Sequence, residues 1–162
     1  MERIASFSVD HTKLLPGLYV SRVDRMGDVA VTTFDLRMTA PNIEPVMDTA
    51  AVHAIEHIGA TFLRNSAWGT RIIYFGPMGC RTGFYLVVFG TVTAQEVLPL
   101  VRDCMQYIAD FTGDIPGASA VECGNYLDLN AKMASYHAAR YLAALETPHL
   151  VYPTEKEGEH AI

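Results

Sequence analysis

The sequence lacks the features of a membrane protein and of a disulfide-stabilised secreted protein. No apolar run approaches the roughly 18 residues that are needed to cross a bilayer, and the N-terminus Met1–Ile4 carries no secretory apolar segment. The 3 cysteines are an odd number and do not suggest a disulfide framework. We therefore expect a cytoplasmic protein with free thiols and no membrane partner.

Positive charge is also scarce in this chain. Its 12 Lys and Arg residues stand against 18 Asp and Glu residues, which gives a net charge of −6 at pH 7 and a pI near 5.4. No basic stripe occurs, so the sequence argues against a nucleic-acid partner. Half of the residues are hydrophobic and 19% are charged, an ordinary globular balance. The 162 residues are enough for one domain with a sizeable core, and we assign 1–162 to that domain.

The pattern of apolar residues predicts a chain of mixed helices and strands. Strands are predicted at Leu18–Asp24, Val29–Met38, Arg71–Phe75 and Phe84–Val92. Helices are predicted at Asp48–Asn65, from Thr93 to about Phe111, and at about Leu127–Leu145. The first two strands form a hairpin, and strands do not alternate strictly with helices. This favours a single α+β domain with a largely antiparallel sheet and helices packed on one face.

The segment His53–His57 carries two histidines four residues apart within the first predicted helix. On a helix such side chains lie one above the other, so both imidazoles can bind one metal ion, and Glu56 can reach what that ion binds. Cys123 is the best third ligand, because thiolate binds zinc or ferrous iron strongly and Gly124 leaves room beside it. His11 is the one serious rival. Three protein ligands with an open position are typical of a catalytic site.

The His-x-x-Glu-His motif has other interpretations. It is the signature of inverzincin metallopeptidases, which use the Glu as a general base, although those enzymes are usually longer chains with a distant Glu as third ligand. The two histidines can also be ordinary packing residues, or the chain can be a non-catalytic domain that binds a metal or a small molecule. Cys80 and Cys123 both lie in polar loops flanked by glycine, which favours a functional site over packing.

Positions outside the helix are open to simpler interpretations. The polar residues before Pro16, which include Ser6 and His11, are most simply a lead-in to the first strand. Arg37 is most simply a solvated strand end. Cys80 differs, because the glycine-rich loop around it lets backbone approach a ligand closely. Its neighbour Arg81 could lower the pKa of the thiol.

Four segments of the chain carry motifs of one known family in the same order and spacing. They are Ser6-Phe7-Ser8-Val9-Asp10-His11-Thr12, His53-Ala54-Ile55-Glu56-His57, Gly76-Pro77-Met78-Gly79-Cys80-Arg81-Thr82-Gly83-Phe84-Tyr85 and Glu122-Cys123-Gly124-Asn125-Tyr126. The chain up to its final helix thereby resembles the S-ribosylhomocysteine lyases of the LuxS type. The blocks around Cys80 and Cys123 are the most specific to that family.

The resemblance implies a homodimer of small α+β subunits with two identical sites at or near the subunit interface. Each subunit would bind one divalent metal ion through His53, His57 and Cys123, with Fe(II) as the native ion and Zn(II) or Co(II) as possible substitutes. The implied reaction converts S-ribosylhomocysteine to homocysteine and 4,5-dihydroxy-2,3-pentanedione. That product is the precursor of the autoinducer-2 quorum-sensing signal, and the reaction belongs to the activated methyl cycle.

The resemblance also implies roles for individual side chains. Cys80 and Glu56 would be the two acid/base residues that shift the carbonyl along the opened ribose and then expel homocysteine by β-elimination. The metal would act as a Lewis acid. The residues assigned to substrate binding, partly across the dimer interface, are Ser6, His11, Arg37 and Arg81.

Overall fold

The computed structural model describes residues 9–153, which form an antiparallel sheet of four strands with three α-helices. The elements in chain order are β1 (Gly17–Met26), β2 (Val29–Arg37), α1 (Thr49–Asn65), β3 (Ile72–Pro77), β4 (Gly83–Phe89), α2 (Ala94–Ala109) and α3 (Ala131–Ala144). The strand order in the sheet is β1-β2-β4-β3, and every neighbouring pair is antiparallel. The predicted α+β class is confirmed.

The core lies between the helices and one face of the sheet, because alternate residues of each strand point to the same side. From β2 and β4 that side presents Phe34, Leu36, Phe84, Leu86 and Val88, all of which are fully or almost fully buried. The helices complete the core with apolar residues at helical spacing. In the described part of the chain, no helix has the length and apolar character needed to cross a membrane.

Helix α1 positions the predicted metal-binding residues. Asp48 caps its first turn by accepting a hydrogen bond from the backbone N–H of Ala51 at 2.9 Å. The apolar side of the helix is buried, whereas His53, Glu56 and His57 are partly exposed. The helix therefore presents this motif at the surface from a rigid and well-packed support.

The last helix begins later than the sequence predicts. The prediction placed its start near Leu127, but α3 begins after Asn130, whose side chain caps the first turn. Leu127 is 81% exposed, and the backbone carbonyl of Asp128 accepts a hydrogen bond from His53 at 2.9 Å. The residues before Asn130 thus form turns beside α1 instead of a helical turn.

Strand β4 also ends earlier than predicted, at Phe89 and not at Val92. Gly90 has a φ of 99°, which turns the chain out of the strand. The hydroxyl of Thr32 donates to the carbonyl of Gly90 at 2.7 Å and accepts the N–H of Val92 at 3.1 Å. This side chain replaces the ladder of backbone hydrogen bonds that a longer strand would have.

The segment after α3 returns to the first strand. Gly17 and His149 form an isolated parallel β-bridge, and Tyr141 of α3 donates from its hydroxyl to the carbonyl of the same Gly17 at 2.7 Å. Farther on, the ring of Tyr152 stacks on that of Tyr19 with 4.6 Å between centroids and 9° between planes. The segment is therefore attached to β1 at both of these places.

Candidate metal centre and thiol site

His53, His57 and Cys123 form a cluster whose ligand atoms all lie within 4.8 Å of one another. The Sγ atom of Cys123 is 3.4 Å from Nε2 of His53. The Nδ1 atoms bond to backbone carbonyls, at 2.9 Å to Asp128 for His53 and at 2.8 Å to Pro116 for His57. Because these bonds place the ring proton on Nδ1, each Nε2 keeps a free lone pair that can bind a metal.

The donor set of this metal cluster fits a divalent ion. Two imidazole nitrogens and one thiolate suit zinc, ferrous iron or cobalt, and three protein ligands leave a position for a substrate. Among the described residues, no other group of three metal-binding side chains comes together in this way. His11, the rival ligand in the sequence, is not part of the cluster, and its Nδ1 bonds to the carbonyl of Val9 at 2.8 Å.

The loop that carries Cys123 is held by short backbone turns. The N–H of Cys123 donates to the carbonyl of Ser119 at 2.9 Å. The N–H of Asn125 donates to the sulfur at 3.4 Å and helps to fix its position. Gly117 has a φ of 70°, and a Cβ at this position would lie 3.3 Å from Nδ1 of His57. This glycine therefore permits both the turn and the close approach to the imidazole.

Glu56 lies where two surface grooves meet. The first groove, of about 510 Å³, contains the metal cluster together with Glu56 and Phe75. The second, of about 350 Å³, is lined by His53, Glu56, Met78, Gly79 and Arg81, among others. Both volumes lie within the range of roughly 300–1,000 Å³ that is usual for small-molecule sites. The carboxyl group of Glu56 is therefore available to a ligand in either groove.

Cys80 is an exposed residue in the loop between β3 and β4. Its Sγ lies 3.1 Å from Oγ1 of Thr82 and 3.9 Å from Nη1 of Arg37. Partial burial alone would raise the pKa of this thiol, but hydrogen bonding to Thr82 and the charge of Arg37 outweigh burial and lower the pKa below the usual 9.0. The sequence prediction named Arg81 as the residue that lowers this pKa, whereas the main causes in the structure are Thr82 and Arg37. Arg81 has a φ of 58° and lines the groove beside Glu56.

Arg37 is buried, with 3% exposure, and is not the solvated strand end that the sequence suggested. Its Nε and Nη2 donate to the two carboxylate oxygens of Asp35 at 3.1 and 2.6 Å. Its Nη1 donates to Oγ1 of Thr82 at 2.6 Å. A buried charge requires partners of this kind. We call Cys80, Thr82 and Arg37 the thiol cluster.

The sequence reasoning missed three residues around the thiol cluster. Asp35 could have been found, because an Asp two positions before an Arg lies on the same face of a strand. Thr82 was quoted as part of a motif but was given no role. No local signal indicated Tyr152, whose hydroxyl donates to Oδ2 of Asp35 at 2.9 Å from a distant segment.

The remaining predicted substrate-binding residues lie in different places. Ser6 is outside the described residues. His11 and Arg37 line one small cavity with Tyr85 and Tyr152, whereas Arg81 lines a groove beside the metal cluster.

Similarity to known proteins covers nearly the whole chain. Residues 4–149 match a family model described as S-ribosylhomocysteinase (LuxS). The S-ribosylhomocysteine lyase of Clostridium acetobutylicum is 58% identical over 147 residues, which are 90% of this chain and 93% of that protein. The protein of the same name from Clostridium beijerinckii is 53% identical over 158 residues, 94% and 99% of the two chains. The one from Finegoldia magna is 51% identical over 156 residues, with the same coverage.

Proposed function

Because this chain belongs to the S-ribosylhomocysteinase (LuxS) family, we propose that it cleaves S-ribosylhomocysteine to homocysteine and 4,5-dihydroxy-2,3-pentanedione. The chain is a carbon–sulfur lyase, as are its named relatives at 51% to 58% identity. The observation that carries the proposal is the meeting of His53, His57 and Cys123 beside Glu56 in a chain with this family match. The family match gives no support to the metallopeptidase or to a non-catalytic binding domain.

The metal cluster would hold one divalent ion per subunit through Nε2 of His53, Nε2 of His57 and Sγ of Cys123. We propose ferrous iron as the native ion, and zinc or cobalt suits the same ligands. When bound, the ion supplies Lewis-acid stabilisation for negative charge that develops on the sugar.

Cys80 is the first acid/base residue in this proposal. Its lowered pKa makes the thiolate more available as a base near neutral pH. The thiolate removes a proton from the carbon beside the carbonyl of the opened ribose. The resulting thiol returns the proton to the former carbonyl carbon, while the proton of the neighbouring hydroxyl passes to the former carbonyl oxygen, so that the carbonyl moves one carbon along the chain. A second shift of the same kind brings the carbonyl to the third carbon of the sugar. No net proton is consumed in this step.

Glu56 is the second acid/base residue. It removes a proton from the carbon that lies between the shifted carbonyl and the carbon bearing sulfur. The electron pair of that C–H bond forms a C=C bond while the C–S bond breaks, and the sulfur leaves with the pair of the broken bond. Protonation of the sulfur then gives homocysteine, and the enol rearranges to the diketone.

The proposed substrate contacts lie around these two residues. Arg81 lines the groove that also contains Glu56, where its charge suits the carboxylate of the homocysteine part. His11 and Arg37 lie together on the side of the thiol cluster. We assign Ser6 to the substrate as well, on the resemblance of its segment to the family.

A second copy of the chain is the proposed partner. On the face of the sheet that is turned away from the helices, cross-strand pairing brings together Val31 with Phe89 and Tyr74 with Val87. Tyr74 and Phe89 are each 48% exposed. A contiguous apolar patch of this kind favours a protein interface, and a two-fold homodimer would cover it on both subunits. We propose that the two sites lie at or near this interface.

We further propose that the reaction takes place in the cytoplasm as a step of the activated methyl cycle. In that setting the pentanedione product is the precursor of the autoinducer-2 quorum-sensing signal. This part of the proposal rests on the resemblance of the four motif segments to the family.

The decisive experiment measures thiol release. Protein purified without oxygen and loaded with iron or cobalt is mixed with S-ribosylhomocysteine, and free homocysteine is followed with a thiol reagent. We expect release by the unmodified protein, and loss of turnover with retained metal in Cys80→Ala and in Glu56→Gln. Absence of release from unmodified protein with one metal ion per chain would refute the lyase, and full activity of either variant would refute the role of that residue.

A further inference from the structure

The orientation of Arg37 is fixed by its hydrogen bonds. Its Nε and Nη2 atoms face the two oxygens of Asp35, which leaves Nη1 to point toward Thr82. Arg37 and Thr82 are each 3% exposed, and Asp35 is 2% exposed, so water does not compete for these contacts. A planar guanidinium held by such a fork has one orientation.

This orientation determines the direction of the hydrogen bond between Thr82 and Cys80. A guanidinium N–H can only donate, so the oxygen of Thr82 accepts from Arg37 at 2.6 Å. The hydroxyl hydrogen of Thr82 is then free to donate to Sγ of Cys80, which lies 3.1 Å away. A donor aimed at the sulfur stabilises the thiolate over the thiol. Arg37 itself is 3.9 Å from the sulfur, so it adds mainly charge.

Tyr152 fixes the other end of the same network. Its hydroxyl donates at 2.9 Å to Oδ2 of Asp35, the oxygen that also accepts Nη2 of Arg37. Its ring is held in place by stacking on Tyr19. Burial and the nearby charge of Asp35 raise the pKa of Tyr152, so this hydroxyl remains a donor across the physiological range. With these donors around it, the carboxylate of Asp35 is held in one orientation.

We propose that Tyr152, Asp35, Arg37 and Thr82 form a hydrogen-bond relay that aims the hydroxyl of Thr82 at the sulfur of Cys80. Thr82 and Tyr152 are then positioning residues, one next to the thiol and the other at the far end of the relay. The proposal rests on the proposed function only where it takes Cys80 to be an acid/base residue.

Other titratable groups surround the relay. Tyr85 of β4 and His11 of the preceding segment line the same cavity as Asp35 and Arg37, Tyr19 of β1 stacks on Tyr152, and Arg81 follows Cys80 in the loop. Burial and the charge of Asp35 raise the pKa of Tyr85, and also raise that of Tyr19 to about 12, so both phenols stay neutral. His11 and Arg81 are the same in every variant below, so neither produces a difference between them.

The test measures the rate of Cys80 alkylation by iodoacetamide against pH in the metal-loaded protein, by mass spectrometry of the peptide that contains Cys80. Thr82→Val is expected to raise the midpoint of this curve by about one pH unit. It is also expected to lower kcat near pH 7 by about tenfold, with a smaller loss at higher pH. Thr82→Ser restores the hydroxyl and is expected to return the midpoint to the unmodified value.

The matched control is Thr39→Val. Thr39 is 2% exposed, and its hydroxyl has no hydrogen-bond partner among the described residues. Its loss is therefore expected to leave the midpoint unchanged. Tyr152→Phe tests the far end of the relay and is expected to raise the midpoint by a smaller amount. Tyr19→Phe is its control, because that hydroxyl donates to the carbonyl of Leu15 and not to the relay.

The outcomes separate the relay from the proposed function. An unchanged midpoint in folded Thr82→Val, or equal shifts in Thr82→Val and Thr82→Ser, would overturn the relay. An unchanged midpoint in Tyr152→Phe would overturn its far end. If Cys80→Ala turned over S-ribosylhomocysteine at the normal rate while Thr82→Val still shifted the alkylation curve, the relay would stand and the role of Cys80 would fail.

Discussion

The three cysteines show how position in the fold decides the chemistry of a residue. Cys80 is exposed and has a lowered pKa because of Thr82 and Arg37, despite partial burial. Cys123 faces two imidazoles. Cys104 lies within α2, where burial raises its pKa to about 12. Cys104 is a packed core residue, because it falls on the apolar side of its helix.

Selective alkylation follows from these environments. With a pKa of about 12, Cys104 has about one thiolate in 10⁴ molecules at pH 8, and it is also shielded from solvent. We expect iodoacetamide at pH 8 to modify Cys80 in the native protein and to spare Cys104 until the protein is unfolded in urea. Peptide mass spectrometry of both samples measures this. Equal modification of the two residues in the native protein would contradict the assignment.

Gly59 lies in the interior of α1 at a position where close packing leaves no room for a larger side chain. Alanine in the interior of a helix is usually better than glycine by about 1 kcal/mol. At this position, however, a Cβ would lie 2.6 Å from Cε1 of Phe75, a buried ring that stacks on Phe84. We expect Gly59→Ala to lower the free energy of unfolding by about 1–3 kcal/mol, because the ring must move within a packed core.

Urea denaturation followed by circular dichroism measures the free energy of unfolding of Gly59→Ala and of the unmodified protein. Ala60→Gly, on the next residue of the same helix, is the control for helix propensity and should cost about 1 kcal/mol for a different reason. If Gly59→Ala were more stable than the unmodified protein, this prediction would be wrong, and the ring of Phe75 would have to shift at little cost.

Arg37 and Arg81 show the limit of residue-level prediction. The adjacency of Arg81 to Cys80 in the sequence suggested that it lowers the pKa of the thiol, but Arg37 of β2 supplies the charge. Sheet pairing brings Arg37 opposite Gly83, next to Thr82. Contacts between strands that are distant in sequence decide this environment, and a periodic pattern within one segment does not contain them.

At the scale of elements, α1 was the most predictable part of the chain. Its apolar period, its cap at Asp48 and the four-residue spacing of its histidines are all local properties. The turns after α2 were much less predictable. There the carbonyls of Pro116 and Asp128 orient the two imidazoles, and any residue can supply a backbone carbonyl. Because a carbonyl contact leaves no mark in the sequence, nothing indicated that the residues before Asn130 form turns, and the predicted start of α3 near Leu127 is wrong.

The cap of α1 gives a test at the scale of the helix. Asp48→Ala removes the acceptor for the N–H of Ala51 and should lower the free energy of unfolding by about 1 kcal/mol. Asp48→Asn keeps an oxygen acceptor and should recover most of that loss. Urea denaturation of both variants is the measurement. A loss of the same size in both would show that the charge of Asp48, and not its capping hydrogen bond, stabilises the helix.

At the scale of the whole molecule, the metal cluster joins distant parts of the chain. Cys123 and His53 are 70 positions apart in sequence. The segment that carries Cys123 also contacts the helix through the carbonyls that accept from the imidazoles and through the hydrogen bond from the N–H of Asn130 to the carbonyl of Ala50. A metal ion bound only in the native state stabilises that state by mass action, by about 2.7 kcal/mol when free metal is at 100 times its Kd. The proposed ion would therefore support the fold as well as the reaction.

Metal removal tests this directly. We expect a chelator to abolish lyase activity and to lower the melting temperature by roughly 5–11 °C, from the usual relation between stability and melting temperature at this size. Calorimetry with and without chelator measures the shift, and re-addition of cobalt should reverse it. His57→Ala is the control, since it should melt at the lower temperature with or without chelator. A chelator-insensitive melting temperature in unmodified protein loaded with one metal ion per chain would contradict this account.

The contact between the segment after α3 and the first strand also orders the assembly of the protein during translation. Gly17 and His149 pair across most of the described chain, and pairing over such a separation is slow compared with local folding. N-terminal parts of a nascent chain emerge and fold first. Asp35, Arg37, Thr82 and Cys80 therefore leave the ribosome well before Tyr152. On the proposed relay, the thiolate of Cys80 gains its last support only after Tyr152 has emerged, so a nascent chain that ends before this residue would carry a less reactive cysteine.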